Sequence, residues 1–127
     1  MYPKDLIYTK EHEWLKKGED GHYVLGITDF AQKELGEVVF VDLPEVDESF
    51  DAGEELGSIE SVKAVAEVYT PVAGKVIAVN GELEDQCELV NDDPHGQGWL
   101  CKLEVADATI EGAMDADAYT AFIEEGE

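Results

Sequence analysis

Residues 57–71 restrict the fold more than any other stretch. Between Gly57 and Pro71 there is no Gly, Pro, Asn or Asp, and the run is rich in Val, Ile, Ala, Ser and Thr. Such a composition reads as strand. Fifteen residues exceed the usual strand of roughly 5–6. In a small domain the run is expected to fold back on itself. Lys63 stands at its middle as the only cation, with Glu60 and Glu67 on either side, so it is a candidate hairpin tip. The turn residues give no help: a tight hairpin favours Asn-Gly or Asp-Gly, and Val62-Lys63 is neither. The hairpin is an expectation from length.

The 127 residues, 44% of them apolar, suit one domain with one core spanning 1–127. Thirty-one acids face eight bases, all lysine, for a net charge of −23. Nucleic acid is disfavoured as a partner, because phosphate contact needs a basic footprint. An anionic membrane surface would repel the chain, and no apolar run reaches the roughly 20 residues of a membrane span. The polar start, Met1-Tyr2-Pro3-Lys4-Asp5, leads into a strand pattern and resembles no leader, so a soluble cytoplasmic protein is expected. Charge is uneven. Four lysines lie in residues 1–17, and eight acids but no base follow Lys102. This reads as a solvated acidic surface; steering toward basic partners and adaptation to high salt are the alternatives.

Cys87 and Cys101 lie in neither a C-x-x-C nor a metal-ligand pattern, and read as small reduced hydrophobes, with a disulfide left open. The three histidines are scattered, so no metal site is expected.

Strands are expected near residues 6–9 and 12–15, at 22–28, 36–42, 74–80 and 99–105, with a turn at 17–21 and a polar turn cluster at 91–98. Asp29 is the expected cap of a short helix over residues 30–35, with Gln32 three residues on and Gly36 as its stop. Gly36-Glu37-Val38-Val39-Phe40-Val41-Asp42 and Gly74-Lys75-Val76-Ile77-Ala78-Val79-Asn80 are similar phrases. Val46-Asp47-Glu48-Ser49-Phe50 and Leu83-Glu84-Asp85-Gln86-Cys87 extend the likeness weakly. A two-copy duplication with a pseudo-two-fold axis would put Lys63 where the units meet. A C-terminal helix is expected over residues 115–124, with Tyr119, Phe122 and Ile123 as its apolar stripe.

No catalytic constellation, phosphate loop or dinucleotide fingerprint stands out. The chain reads as something acted upon. An exposed lysine on a stiff hairpin is a nucleophile for an acylating enzyme, and small neighbours such as Ser61 and Ala64 leave that enzyme room. A tethered group then gains effective concentration at a partner's site. An ordinary surface lysine is the alternative.

Glu60-Ser61-Val62-Lys63-Ala64 resembles the lipoylation site of the glycine cleavage system H proteins. His12-Glu13-Trp14, Gly26-Ile27-Thr28-Asp29-Phe30-Ala31-Gln32 and Leu35-Gly36-Glu37-Val38-Val39-Phe40-Val41-Asp42-Leu43-Pro44 are similar to further motifs of that family. So are Pro71-Val72-Ala73-Gly74, Val79-Asn80, Leu89-Val90-Asn91, Pro94 and Gly98-Trp99. The set runs in order from about residue 8 to 123. The resemblance implies a mainly β, lipoyl-domain-like barrel-sandwich hybrid of two antiparallel sheets with short helices. It implies lipoate in amide linkage on Lys63, with Glu60, Ser61, Val62 and Ala64 as recognition context.

The implied role is a non-catalytic shuttle. An aminomethyl group passes from a pyridoxal-phosphate glycine decarboxylase (P protein) to an aminomethyltransferase (T protein), and reducing equivalents pass to dihydrolipoyl dehydrogenase (L protein). A lipoate ligase or lipoyl transferase would install the arm. The loaded arm is labile in water, and the family shelters it in a cleft. Glu13 and then Glu67 are the candidate carboxylates for its cationic amine. Phe30 is a departure, since many members have His there; Phe packs on hydrocarbon but forms no hydrogen bond to an amine. His95 stands where Tyr is common. Two related roles remain beside the main one: a relay donating lipoyl to 2-oxoacid dehydrogenases, and an H-like carrier in sulfur oxidation. A biotin carrier fits poorly, because its lysine usually lies between methionines and here Val62 and Ala64 flank it.

Overall fold

The computed structural model describes residues 2–18, 21–105 and 113–126. Nine strands form two antiparallel sheets among these residues. β1 (Ile7–Tyr8), β2 (Glu13–Lys17), β3 (His22–Ile27), β5 (Ser49–Phe50), β8 (Gly74–Val79) and β9 (Cys101–Glu104) make a six-stranded sheet in the order β1-β2-β3-β9-β8-β5. β4 (Val38–Asp42), β6 (Glu55–Ser61) and β7 (Val65–Tyr69) make a three-stranded sheet in the order β4-β6-β7. There are three helices, α1 (Asp29–Leu35), α2 (Leu89–Asp92) and α3 (Ala116–Gly126), among the described residues, and a 3-10 turn at Gly81–Glu84 lies between β8 and α2. This is the mainly β, two-sheet architecture expected, with the C-terminal helix included. The centre of the turn expected at 17–21, residues 19 and 20, lies outside the described residues.

The sheets face each other across the main core. Leu15, Leu25, Val76 and Leu103 meet Val41, Leu56, Ile59 and Val68, all buried. Alternation along each strand produces this: Val41 and Ile59 pair across β4 and β6 and point inward, while Asp42 and Ser58 next to them do not. Each fully buried side chain of this size contributes about 1.5–3 kcal/mol. A second cluster lies against β1 and β2. Leu6, Tyr8 and Trp14 are sealed there by Ala116 and Tyr119 of α3, with Phe122 and Ile123 packed at the margin. The expected apolar stripe of α3 is therefore core packing. Gly26, opposite Trp14, makes this possible: a Cβ there would stand 2.5 Å from the indole.

Three expectations need correction. Thr28, not Asp29, caps α1, its hydroxyl accepting from Ala31 N at 3.2 Å. Asp29 is drawn away by Gln32 Nε2 at 2.9 Å and by Lys33 at 3.0 Å. The second half of the apparent repeat also diverges. Ser49–Phe50 is strand, paired with β8, whereas Leu83 sits in the 3-10 turn. Asn80 starts that turn and gives its amide to Gln97 O and Trp99 O, so the chain turns directly after β8, whereas in the other copy Leu43 and Pro44 precede the turn at Glu45–Glu48 that leads into β5. Finally, the cluster at 91–98 begins with the end of α2, which the letters did not suggest.

Both cysteines are free thiols. Cys101 is fully buried in the main core, which pushes its thiol up to about 12. Cys87 donates to Val38 O at 3.4 Å. Among the described residues no helix is long and apolar enough to cross a membrane.

Candidate functional site

β6 and β7 are the two arms of the expected hairpin, and Lys63 is at its tip. Glu60 pairs with Val65, and Ser61 closes the turn by donating its N–H to Ala64 O at 2.8 Å. Neither Val62 nor Lys63 has a positive φ, so this is not one of the primed turns that Asn-Gly favours. Ser61 supplies what the turn residues lack. Its buried hydroxyl accepts from Ala64 N at 3.0 Å and from Lys63 N at 3.3 Å. Val62 N donates to Glu37 O at 3.0 Å, tying the tip to the lead-in of β4. The backbone beneath Lys63 is thus held on two sides while its side chain stays exposed. Lys63 makes no ion pair among the described residues. Its stem lies against Gly36, where a Cβ would stand 3.3 Å from Cε. Gly36 also has φ +84, ending α1 where a side chain would be strained. Asn91 fixes this corner, giving its amide to Gly36 O at 2.8 Å and Gln32 Oε1 at 2.9 Å and accepting from Val38 N at 2.9 Å.

Beside the tip is a cleft of about 340 Å³ between α1, the free edge of β7 and the β1–β2 turn. Its lining includes Glu13, Phe30, Ala64 and Glu67, with Leu35 and Ile59 behind. The structure thus brings the two candidate carboxylates and Phe30 to one cavity. Ala64 links that cavity to the tip; the Lys63 side chain, on Gly36, is outside its lining. Glu60 and Val62 point elsewhere and are exposed, and neither lines the cleft.

Glu13 is 3% exposed. Its carboxyl accepts from Tyr69 N at 3.1 Å and from Thr9 Oγ1 at 3.1 Å. It therefore caps the edge of β7 from the opposite sheet. Burial pushes its pKa up to about 7, and the two hydrogen bonds offset only part of that. Glu67 is exposed at the rim.

His12, read from sequence only as part of a motif, also lines the cleft. It closes the β1–β2 turn at φ 67, a left-handed position where His is among the better-tolerated side chains. Its ring lies 4.6 Å from that of Phe30, and its Nδ1 is 2.7 Å from Tyr119 Oη. Tyr119 Oη in turn is 2.7 Å from Thr28 Oγ1, the cap of α1. The C-terminal helix is thereby joined to the cleft wall. Phe30 and His12 thus form a ring pair on the cleft wall. Among the described residues no three His, Cys, Asp or Glu side chains form a metal-binding group.

Comparison with known proteins bears on this arrangement. The family model described as glycine cleavage H-protein matches residues 6–126. A glycine cleavage system H protein of Listeria monocytogenes is 55% identical over 118 residues, covering 92% of this chain and 94% of that protein. One from Cronobacter sakazakii is 49% identical over 124 residues, covering 97% and 96%. The crystal structure of a glycine cleavage system H protein from Mycobacterium marinum matches with a TM-score of 0.87 at 35% identity, covering 99% of this chain and 100% of that one. The chain belongs to the glycine cleavage H-protein family, whose members are carrier components and not catalysts.

Proposed function

We propose that this chain is the lipoyl carrier of a glycine cleavage system, with lipoate in amide linkage on Lys63. The observation that carries the reading is an exposed lysine, on a backbone-pinned hairpin tip, beside an apolar cleft that holds a buried carboxyl. The residues fit the group. The tip leaves Nζ open to an acylating enzyme, and the cleft's aliphatic and aromatic walls suit a hydrocarbon chain with a sulfur ring. When bound, lipoate supplies a dithiolane that accepts an aminomethyl group and electrons from glycine decarboxylation and passes each onward.

The protein's part is tethering, presentation and shelter. Ser61 and Glu37 hold the tip still, so the freedom of the attachment lies in the side chain. Phe30, Ala31, Leu35 and Ile59 exclude water from the cleft. Glu13 stands at its inner wall, half protonated near neutrality. A cationic amine entering the cleft favours the ionised carboxylate, so Glu13 releases its proton as the cargo arrives. Glu67 adds negative charge at the mouth. The partners are a pyridoxal-phosphate glycine decarboxylase, an aminomethyltransferase, dihydrolipoyl dehydrogenase and a lipoate ligase or lipoyl transferase.

Reconstitution tests this. With purified decarboxylase, aminomethyltransferase, dehydrogenase, tetrahydrofolate and NAD, the lipoylated chain should sustain NADH formation from glycine. The unmodified chain should give no NADH above background, because the dithiolane that takes up the aminomethyl group and the electrons is missing. Equal rates with and without the modification would refute the carrier reading.

A further inference from the structure

Four large apolar side chains surround the tip in the open. Val39, Phe40, Val62 and Val65 are 46%, 56%, 68% and 60% exposed. In a chain of net charge −23, such a concentration at one end of a sheet calls for an explanation. Their exposure is built into the backbone. The register of β4 against β6 slips between Val38 and Phe40. Unbroken alternation would turn Phe40 inward after Val39; the bulge resets the pattern, so Val38 and Val41 are buried and the two residues between them face out. Phe40 is then opposite Glu60, and Glu60 opposite Val65, a row across all three strands. Val62 is the exposed turn residue beside Lys63, bonded to Glu37 at the entrance to β4.

Acids are interleaved with this collar. Glu60 stands at the middle of the row, between Phe40 and Val65; Glu37 is at the entrance to β4, and Asp42 and Glu67 flank Ser58 in the next outward-facing row. All four are exposed. Exposed apolar side chains interleaved with acids suit a docking face, and the sign of those charges selects a cationic counterpart.

We propose that the collar is the docking face for the enzyme that acylates Lys63, and that this enzyme meets it with an apolar socket edged by lysine and arginine. The inference rests on Lys63 being the attachment site. Acylation makes the geometry decisive. Deprotonated Nζ attacks the carbonyl carbon of a lipoyl group activated as a mixed anhydride with a phosphate; the amide C–N bond forms, the anhydride C–O bond breaks, the phosphate leaves with the electron pair, and the nitrogen gives up one proton to solvent. The acylating active site must therefore reach Nζ itself, one lysine side chain from the tip backbone. Its walls then cover Val62, Val65 and Phe40. Enzymes that use the finished arm work a further arm's length away.

The test is steady-state lipoylation of the full-length unmodified chain by a purified lipoate ligase with lipoate and ATP. Phe40→Ser combined with Val65→Thr should lower kcat/KM about tenfold or more, mainly through KM, as expected for an apolar hot spot. Val46→Ser, which removes a 50% exposed valine beyond the far end of β4, should leave it unchanged. Raising the salt concentration should lower kcat/KM for wild type. Melting curves identify any variant that has lost its fold, and Val62→Thr alone, a near-isosteric change at an exposed turn, should still raise KM. Wild-type kinetics in folded collar variants, or an equal loss in Val46→Ser, would overturn the docking inference while leaving the attachment site standing. A wild-type chain that takes no lipoyl group would instead overturn the attachment site.

Discussion

Lys63→Arg should melt within about 0.5 kcal/mol of wild type, as surface substitutions usually do, and should carry no lipoyl group. The side chain is exposed and makes no ion pair among the described residues, so its replacement by another long cation removes nothing from the core. The turn beneath it is held by the Ser61 hydroxyl and by backbone, not by the lysine. Chemistry is another matter. An ammonium can lose its proton and present a lone pair to an acyl carbon, whereas a guanidinium stays protonated. Lipoylation should vanish, and reconstituted glycine cleavage should fall to background with the loss of the dithiolane. Activity retained by a folded Lys63→Arg chain would place the carrier function elsewhere.

Glu13→Gln should make the protein markedly more stable at pH 8.5 and much less so at pH 5. In the unfolded chain a glutamate titrates near ~4.3; buried in the fold, Glu13 does so at about 7. Between those values the native state keeps a proton that the unfolded chain has released, so stability falls as pH rises through the window and levels off above it. At 3% exposure there is little solvent screening, and the full effect is about 4 kcal/mol, of which about 1 kcal/mol is already present at pH 5. Glutamine removes the titration but keeps the contacts: its oxygen accepts from Tyr69 N, and its amide donates to Thr9 Oγ1. Denaturation at both pH values checks this. Because the other acids are common to both proteins, the difference between variant and wild type isolates Glu13. A difference that does not grow from pH 5 to 8.5 would mean that Glu13 is ionised without cost in the fold, and would remove its readiness to respond to an incoming amine.

The hairpin at Lys63 was legible because thirteen residues without a breaker, Ser58 to Thr70, are too many for one strand in a small sheet. Its turn was not, since the Ser61 hydroxyl does the work of the absent Asn-Gly by a local bond that no hairpin composition rule anticipates. The cap of α1 was misread for a related reason. Thr28 and Asp29 are both good caps, and the choice falls to Thr28 because Tyr119, 91 residues away, holds its hydroxyl while Gln32 and Lys33 occupy Asp29. Alternation located the strands but not the slip in β4, so the outward turn of Phe40 was hidden. Glu13 was named by its motif. Its burial depends on Tyr69, 56 residues on, and on a contact between two different sheets. What stayed out of reach is in each case set by a partner distant in sequence or by a single displaced backbone bond.

Mass spectrometry of the intact chain and its peptides, after coexpression with a lipoate ligase and lipoate, tests the central claim most directly. One lipoyl adduct per chain, on Lys63, is expected. An unmodified chain, with the same ligase active on a control domain, or an adduct on any other lysine, would contradict it.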